Sequence, residues 1–342
     1  MSTSIRSGRY LIGLIILIAI IAAGVIIWST KKSSEKPSMA IQDISIAAIS
    51  PSFTGYTIYV ALEKGYFRKQ GLKVDLKSFS SGKATLDALI KGKVDLATSS
   101  ETPFMRAVLN GGKIYVLGTM ITGEKHLAVV GRKDKGISSP KDLKGKTIAV
   151  TMGSNGEYFL DTVLLLNGVS KDQVKTVHVK PKQMFDALIK GEVDAIATWN
   201  PQMTKARRAL GDQATTIYAE GLYSPSFLIA ARQDYANANP EIIKKVLRSL
   251  VTASKFIHES PDQSRMIVAK YLGMDKSLLD ELSATYHFKI TLDQSLLLTL
   301  ENQTKWAIQN KLTGQTKVPN YLDFIYLDGL TAIKPEGVTI IR

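Results

Sequence analysis

One nonapeptide is written twice in this chain, as DALIKGKVD at 87–95 and as DALIKGEVD at 186–194, with eight of nine positions identical. Each copy sits inside a longer order of elements that is also repeated. Before and through the first copy, ISIAAI (44–49) is a short apolar run and Tyr56 to Lys69 has helical spacing. KVDLKSF (73–79) alternates, Lys83 to Lys91 is again helical, and VDLATS (94–99) reads as a strand. From Lys146 the same order returns: KTIAV, a helix over Asn155 to Asn167, VKTVHVK (174–180), a helix over Lys182 to Lys190, and VDAIAT (193–198). Gly92 and Gly191 fall where a helix end favours a left-handed residue, which accounts for the glycines but not for five elements in register.

Alternating strands and helices predict a mainly parallel sheet in each half, because parallel neighbours need long right-handed crossovers. The expected fold is therefore α/β and two-lobed, with ligands collecting at the carboxyl ends of the strands and between the lobes. At 342 residues the chain has room for two lobes of ordinary size. HLAVVGR (126–132) and SPSFLIAARQDY (224–235) flank the second half and are the hinge candidates, giving lobe 1 as 43–132 with 225–342 and lobe 2 as 133–224. After Asn239 the chain turns helical, with Asn239-Pro240-Glu241 and Ser260-Pro261-Asp262 as helix starts that pack back onto the first lobe.

The N-terminus is set apart by Tyr10 to Trp28, which carries no charge and lies between Arg6 and Arg9 on one side and Lys31 and Lys32 on the other. A signal peptide's apolar region runs about 7 to 15 residues, whereas about 20 are needed to cross a bilayer. The run therefore reads as a transmembrane anchor, with cleavage at the Ser38-Met39-Ala40 triplet as the alternative. Residues 1–9 become a cytoplasmic tail and 29–42 a linker, and the lobes face outward from a single-pass position in the cell membrane.

Composition excludes several chemistries. With no cysteine there can be no disulfide, no thiolate nucleophile, no Cys-based metal site and no acylated tether. The formal charge of +14 is spread among acidic residues without a basic helix face, so nucleic acid is not an expected partner. His126, His178, His258 and His287 are far apart and form no metal-ligand spacing, so neither a metal nor another cofactor is expected. LKGKT (143–147) resembles the end of a phosphate loop but has Pro140 where glycine is required and leads into a strand. No GxSxG elbow occurs.

Small polar residues remain at the predicted strand ends: Thr54 and Tyr56 in SPSFTGY, Ser80-Ser81-Gly82, Ser99-Ser100-Glu101, Ser154 and Asn155 in GSNG, Trp199-Asn200, and Tyr223. Helix N-termini with hydroxyls and an aromatic wall suit a small polar or anionic solute. Ser154 and Glu157 also have capping-box spacing, which makes Glu157 structural, and Ser81 can cap its own helix. Trp199 fits core or cleft wall equally. Glu101 facing the cleft would favour an amine; facing solvent it would carry no information.

LEKGYFRKQGLKVDL (62–76), ALIKGKVDLATSS (88–100), ISSPKDLKGKTIAVTMGSNGEYFL (137–160) and ALIKGEVDAIATWNPQ (187–202) resemble the nitrate/sulfonate/taurine-type periplasmic binding proteins. The resemblance covers essentially 43–342 and implies a type II periplasmic-binding-protein-like fold that closes on a solute and passes it to an ABC permease, as a monomer. It implies cleft positions around Thr54 and Tyr56, at Ser80, Ser81 and Gly82, at Ser99 and Ser100, at Ser154 and Asn155, and at Trp199 and Asn200. The chain departs from the family's usual pattern at its N-terminus, where an apolar run stands in place of a cleaved signal or lipidated cysteine. A membrane-tethered sensor and, more remotely, a pyrimidine-precursor enzyme are the alternative functions within the family.

Overall fold

The direction of each strand follows from where the chain enters its sheet. In the computed structural model, which describes residues 41–50, 52–218, 223–274 and 276–341, two sheets carry the fold. The first four strands are β1 (Gln42–Ile49), β2 (Leu72–Phe79), β3 (Leu96–Ser100) and β4 (Ile114–Gly123). The chain then builds β5 (Leu127–Arg132), β6 (Thr147–Val150), β7 (Lys175–His178), β8 (Ala195–Trp199) and β9 (Ala214–Ile217), and returns with β10 (Ser226–Arg232) and β11 (Tyr286–Thr291). The sheet orders are β11-β4-β10-β3-β1-β2 and β7-β6-β8-β5-β9. The apolar run 10–28, the tail before it and all but the last residues of the linker lie outside the described residues, and among the described residues no helix is long and apolar enough to cross a membrane.

The repeated five-element order appears as β1-α1-β2-α2-β3 and β6-α4-β7-α5-β8. Here α1 is Tyr56–Glu63, α2 is Gly82–Ile90 and α3, following β3, is Glu101–Leu109; α4 is Asn155–Leu166, α5 is Met184–Ile189 and α6, following β8, is Gln202–Leu210. β1 pairs in parallel with β2 and β3, and β6 with β7 and β8. The helical run expected over 56–69 is broken at Gly65, whose φ of 67° ends α1 before a short turn of helix at Tyr66–Lys69.

The segments read as hinges are strands. HLAVVGR supplies β5, which pairs with β8 and β9 in the second sheet, so the first crossing falls between Gly123 and Leu127 and not after Arg132. SFLIAAR supplies β10, which lies between β3 and β4. Both run antiparallel to their parallel neighbours. The reason is geometric: a chain that crosses at the edge where parallel strands end must begin its next strand at that edge, and so runs the other way. Alternation marks both segments as extended but carries no information on which sheet takes them.

The nonapeptides are paired scaffold. Gly92 and Gly191, at φ 67° and 73°, close the ends of α2 and α5, and the amides after them return to Ala88 and Ala187 at 2.9 and 3.0 Å. Asp95 Oδ2 accepts from the backbone N–H and hydroxyl of Ser45 at 2.8 and 2.7 Å; Asp194 Oδ2 accepts from the Thr147 N–H at 2.8 Å. The incoming strands complete the same joint in each lobe. Arg132, at the end of β5, donates to the carbonyls of Leu188 and Ile189, and Arg232, at the end of β10, to those of Leu89 and Val94. Asp134 and Asp234, two residues on, hold the guanidinium groups at 2.8 and 3.1 Å. RKD at 132–134 and RQD at 232–234 are thus a further repeat, linking each crossing strand to the nonapeptide.

Cores form on the sheet faces. The larger one joins Ile46, Leu96, Val116 and Ile229 to the C-terminal helices α7 (Pro240–Glu259), α8 (Pro261–Leu272), α9 (Lys276–Ser283) and α10 (Gln294–Gln309). The second sheet is covered on both faces, by Phe159, Leu160 and Val163 on one and by Met184, Leu188 and Met203 on the other. Asp95→Ala is expected to lower unfolding free energy by about 2 kcal/mol, the cost of stranding the Ser45 N–H. Urea titration at unchanged slope measures it, and a wild-type midpoint would mean that β1 holds its place without the aspartate.

Candidate functional site

The parallel strands of both sheets end at one cleft, so the loops after β1, β2 and β3 face those after β6, β7 and β8. Between them lies a cavity of about 580 Å³. The first lobe contributes Ser52, Thr54, Ser80, Ser81, Gly82, Lys83, Ser100 and Pro103, and the second contributes Thr151 to Asn155, His178, Lys180, Lys182, Gln183 and Trp199. Ile49 and Phe227 add apolar surface, and His126 reaches the cavity from the crossing between β4 and β5.

Helix starts dominate the walls. Ser81 Oγ accepts from the Ala84 N–H at 3.2 Å at the head of α2, and Ser154 Oγ accepts from the Gly156 N–H at 3.1 Å at the head of α4. Each serine therefore caps a helix and lines the cavity. First-turn N–H groups have no acceptor within their helix, and the helix start carries a partial positive charge, so both walls favour an anion. Glu157 Oε2 accepts from the Gly153 N–H at 2.6 Å and is committed to the turn before α4. Thr54 Oγ1 is buried and has no partner among the described residues, although Thr54 lines the cavity. A buried hydroxyl left without a partner is costly, which makes it a ready site for a ligand atom.

Close packing sets the shape. A side chain at Gly82 would put a Cβ 2.8 Å from Ser99 Oγ and 3.2 Å from Pro103, so only glycine lets the start of α2 approach α3 here. Trp199 is half-buried, with its ring 3.5 Å from where a Cβ on Gly156 would lie, and it walls the start of α4. Lys83 is held by Asp87 at 2.6 Å, while Lys180 and Lys182 are exposed. No carboxylate lines the cavity among the described residues, and no group of three or more acidic or histidine side chains able to hold a metal ion occurs among them.

Thr54, Ser80, Ser81, Gly82, Ser100, Ser154, Asn155 and Trp199 are brought together as the sequence predicts. Five predicted residues lie elsewhere. Tyr56 is buried against Phe53 and Phe288, with its hydroxyl 3.0 Å from Ser264 Oγ. Ser99 donates to the Ser100 carbonyl at 3.0 Å behind the wall. Asn200 is buried and accepts from Thr204 Oγ1 at 2.8 Å. Glu101 faces neither cleft nor solvent: the Tyr223 hydroxyl, the Ser226 N–H at 2.9 Å and Gln303 Nε2 at 3.2 Å enclose it. Burial raises the Glu101 pKa in spite of these donors, and raises that of Tyr223 as well. These two residues tie the returning crossing to α3 and α10, and successive residues past a strand end point alternately into and away from the cleft.

The residues not foreseen are chiefly the loop after β7 and the crossing. His178 ends β7, and Lys180, Lys182 and Gln183 follow it as Ser80 to Lys83 follow β2. The internal repeat, applied to that loop, would have identified them. His126 is 2% exposed, packs edge-on against Phe227 at 4.8 Å, and joins Nδ1 to the Tyr286 hydroxyl. Burial pushes its pKa down to about 3.

Two sheets of this order, facing each other across a cleft, define the periplasmic-binding-protein class of α/β fold. The crystal structure of the periplasmic aliphatic sulphonate binding protein SsuA from Escherichia coli has this fold at a TM-score of 0.72 and 20% identity, over 84% of this chain and 99% of that one. The chain belongs to the family described as NMT1/THI5 like, which matches residues 50–264. A binding protein of Brucella abortus is 25% identical over 252 residues, covering 71% of this chain and 77% of that protein. The taurine-binding periplasmic protein of Escherichia coli K12 is 27% identical over 201 residues, 58% of this chain and 61% of the relative.

His126 makes acid stability measurable. Its folded pKa, about 3, lies below the unfolded value of 6.5, so the neutral ring contributes stability that is present above pH 6.5 and is lost as pH falls toward 3. Relative to His126→Gln, the wild type is expected to lose about 2 kcal/mol between pH 6.5 and 4.5, read by urea titration at each pH. Parallel curves for the two proteins would refute the buried neutral state.

Proposed function

We propose that this chain is an extracytoplasmic solute-binding protein that captures a small anion with an apolar body between its lobes and delivers it to an ABC-type permease. The observation that carries this reading is the pair of helix starts facing each other across a cavity with hydroxyls and lysines on its walls and no carboxylate among the described lining residues. Ile49, Pro103, Pro181, Trp199 and Phe227 supply apolar surface for the remainder of the solute. Family membership and the binding-protein relatives support the same class, and the charge pattern favours a plain sulfonate over taurine, whose amine finds no acidic partner.

Binding works by closure. Thr54, Ser81 and Ser100 lie on one wall and Ser154, Asn155 and Trp199 on the other, so a solute touches both sets only when the lobes are together. Trp306 Nε1 donates to Asp161 Oδ2 at 2.9 Å, and Glu281 receives Arg207 and Arg208. The arginine pairs are about two-fifths exposed, and such pairs contribute roughly 0 to 1 kcal/mol each. Hydrogen bonds to a charged ligand contribute about 1.5 to 3 kcal/mol each, so a solute held by both walls adds to the stability of the closed state. The hydroxyls are engaged as caps and the histidine is neutral and buried, which favours reversible binding over turnover.

The apolar run from Tyr10 to Trp28 supports a membrane anchor that holds the monomeric lobes near the permease. Membranes from expressing cells are expected to keep the full chain through alkaline carbonate extraction, and its release in shortened form would mean cleavage. For the site, Thr54→Val removes a hydroxyl that has no partner among the described residues. Ethanesulfonate affinity by calorimetry should fall about tenfold with melting temperature unchanged in the absence of solute. Ethanesulfonate should also bind more tightly than taurine. Stabilisation by cationic amines but not by sulfonates or carboxylates would overturn the reading.

A further inference from the structure

The crossing that delivers His126 to the cavity also fixes where that ring carries its proton. His126 Nδ1 is bonded to the Tyr286 hydroxyl. No other acceptor is bonded to that hydroxyl among the described residues, so a phenol that accepted from Nδ1 would leave its own proton buried without a partner. The phenol therefore donates to Nδ1. Tyr286 has no freedom to turn away, because it is 5% exposed and its ring lies flat on Phe53 at 4.7 Å with an interplanar angle of 6°.

A neutral imidazole has one N–H, and when Nδ1 accepts, that N–H is on Nε2. The Nδ1 edge is taken up by Tyr286, which does not line the cavity, whereas His126 does. We infer that Tyr286 locks His126 as a neutral donor, presenting Nε2–H to an oxygen of the bound solute and selecting solutes with an acceptor, not a donor, at that point. Tyr286 is a positioning residue here.

This inference rests on the anion-binding reading, and the two are separable by experiment. In the full chain, purified in detergent and labelled with 15N-histidine, the ring nitrogens of His126 are read at pH 7 without solute. His126→Gln identifies its signals among those of the four histidines. A pyridine-like Nδ1 and a pyrrole-like Nε2 are expected. Tyr286→Phe should raise the share of the Nδ1–H form and weaken ethanesulfonate binding about threefold, and His126→Phe should weaken it about tenfold, the loss of one donor to a charged group. A wild-type ring protonated on Nδ1, or on both nitrogens, overturns the inference even where ethanesulfonate binds. An Nε2–H ring in a chain that binds no anion overturns the solute reading and the ligand half of the inference with it.

Discussion

The two strands that begin at the crossings are the constraint on which the cleft depends. β5 and β10 each start at the edge where the parallel strands end, run antiparallel to them, and lie inside the sheet with a neighbour on either side. At the far end of each, an arginine fastens the helix end of the nonapeptide, while the near end opens onto the cavity with His126 on one side and Phe227 on the other. One strand thus connects the scaffold of each lobe to the floor of the site. A shift in its register by one residue would exchange the buried and cleft-facing sets together.

The helices on the two walls are positioned by the same repeat. α2 and α4 follow different strands in their halves, yet both begin at the cleft with a serine that is capped into the turn and exposed to the cavity. Each aligned helix start contributes about 0.3 to 1 kcal/mol toward an anion, and the hydroxyls add directed donors. The exposed lysines contribute mainly to attraction at a distance, since charges in water are screened within about 8 to 10 Å at ordinary salt. On the proposed function, selectivity for an anion comes from the dipoles, and encounter rate from the lysines.

Much of this architecture is legible in the sequence. Strand and helix order over 44–99 and 146–198 follows from periodicity, and the left-handed glycines at 92 and 191 from the helix ends. Sheet membership was not legible for 126–132, because an alternating apolar run fits either sheet equally well. Nor was side-chain direction past a strand end. Ser100 and Glu101 are adjacent, yet one lines the cavity and the other is enclosed by Tyr223, Ser226 and Gln303. The distinction depends on tertiary partners up to 202 residues away, which no local pattern encodes. His178 and Lys180, by contrast, are within reach of the repeat, since they stand at the end of β7 as Ser80 and Ser81 stand at the end of β2.

A neutral donor at the floor of such a cleft has a physical rationale of its own. A lysine or arginine buried there would carry a desolvation cost of several kcal/mol in the open, empty protein and would need a carboxylate partner to remain charged. On the proposed function it would also oppose release of the anion. An imidazole kept neutral by burial and oriented by Tyr286 avoids both difficulties, because its N–H is directed in advance and costs no charge when the cleft is empty. Glu101 does not line the cavity, because three donors enclose its carboxyl group in the crossing. Binding and release then depend on many modest contacts that are lost together when the lobes separate.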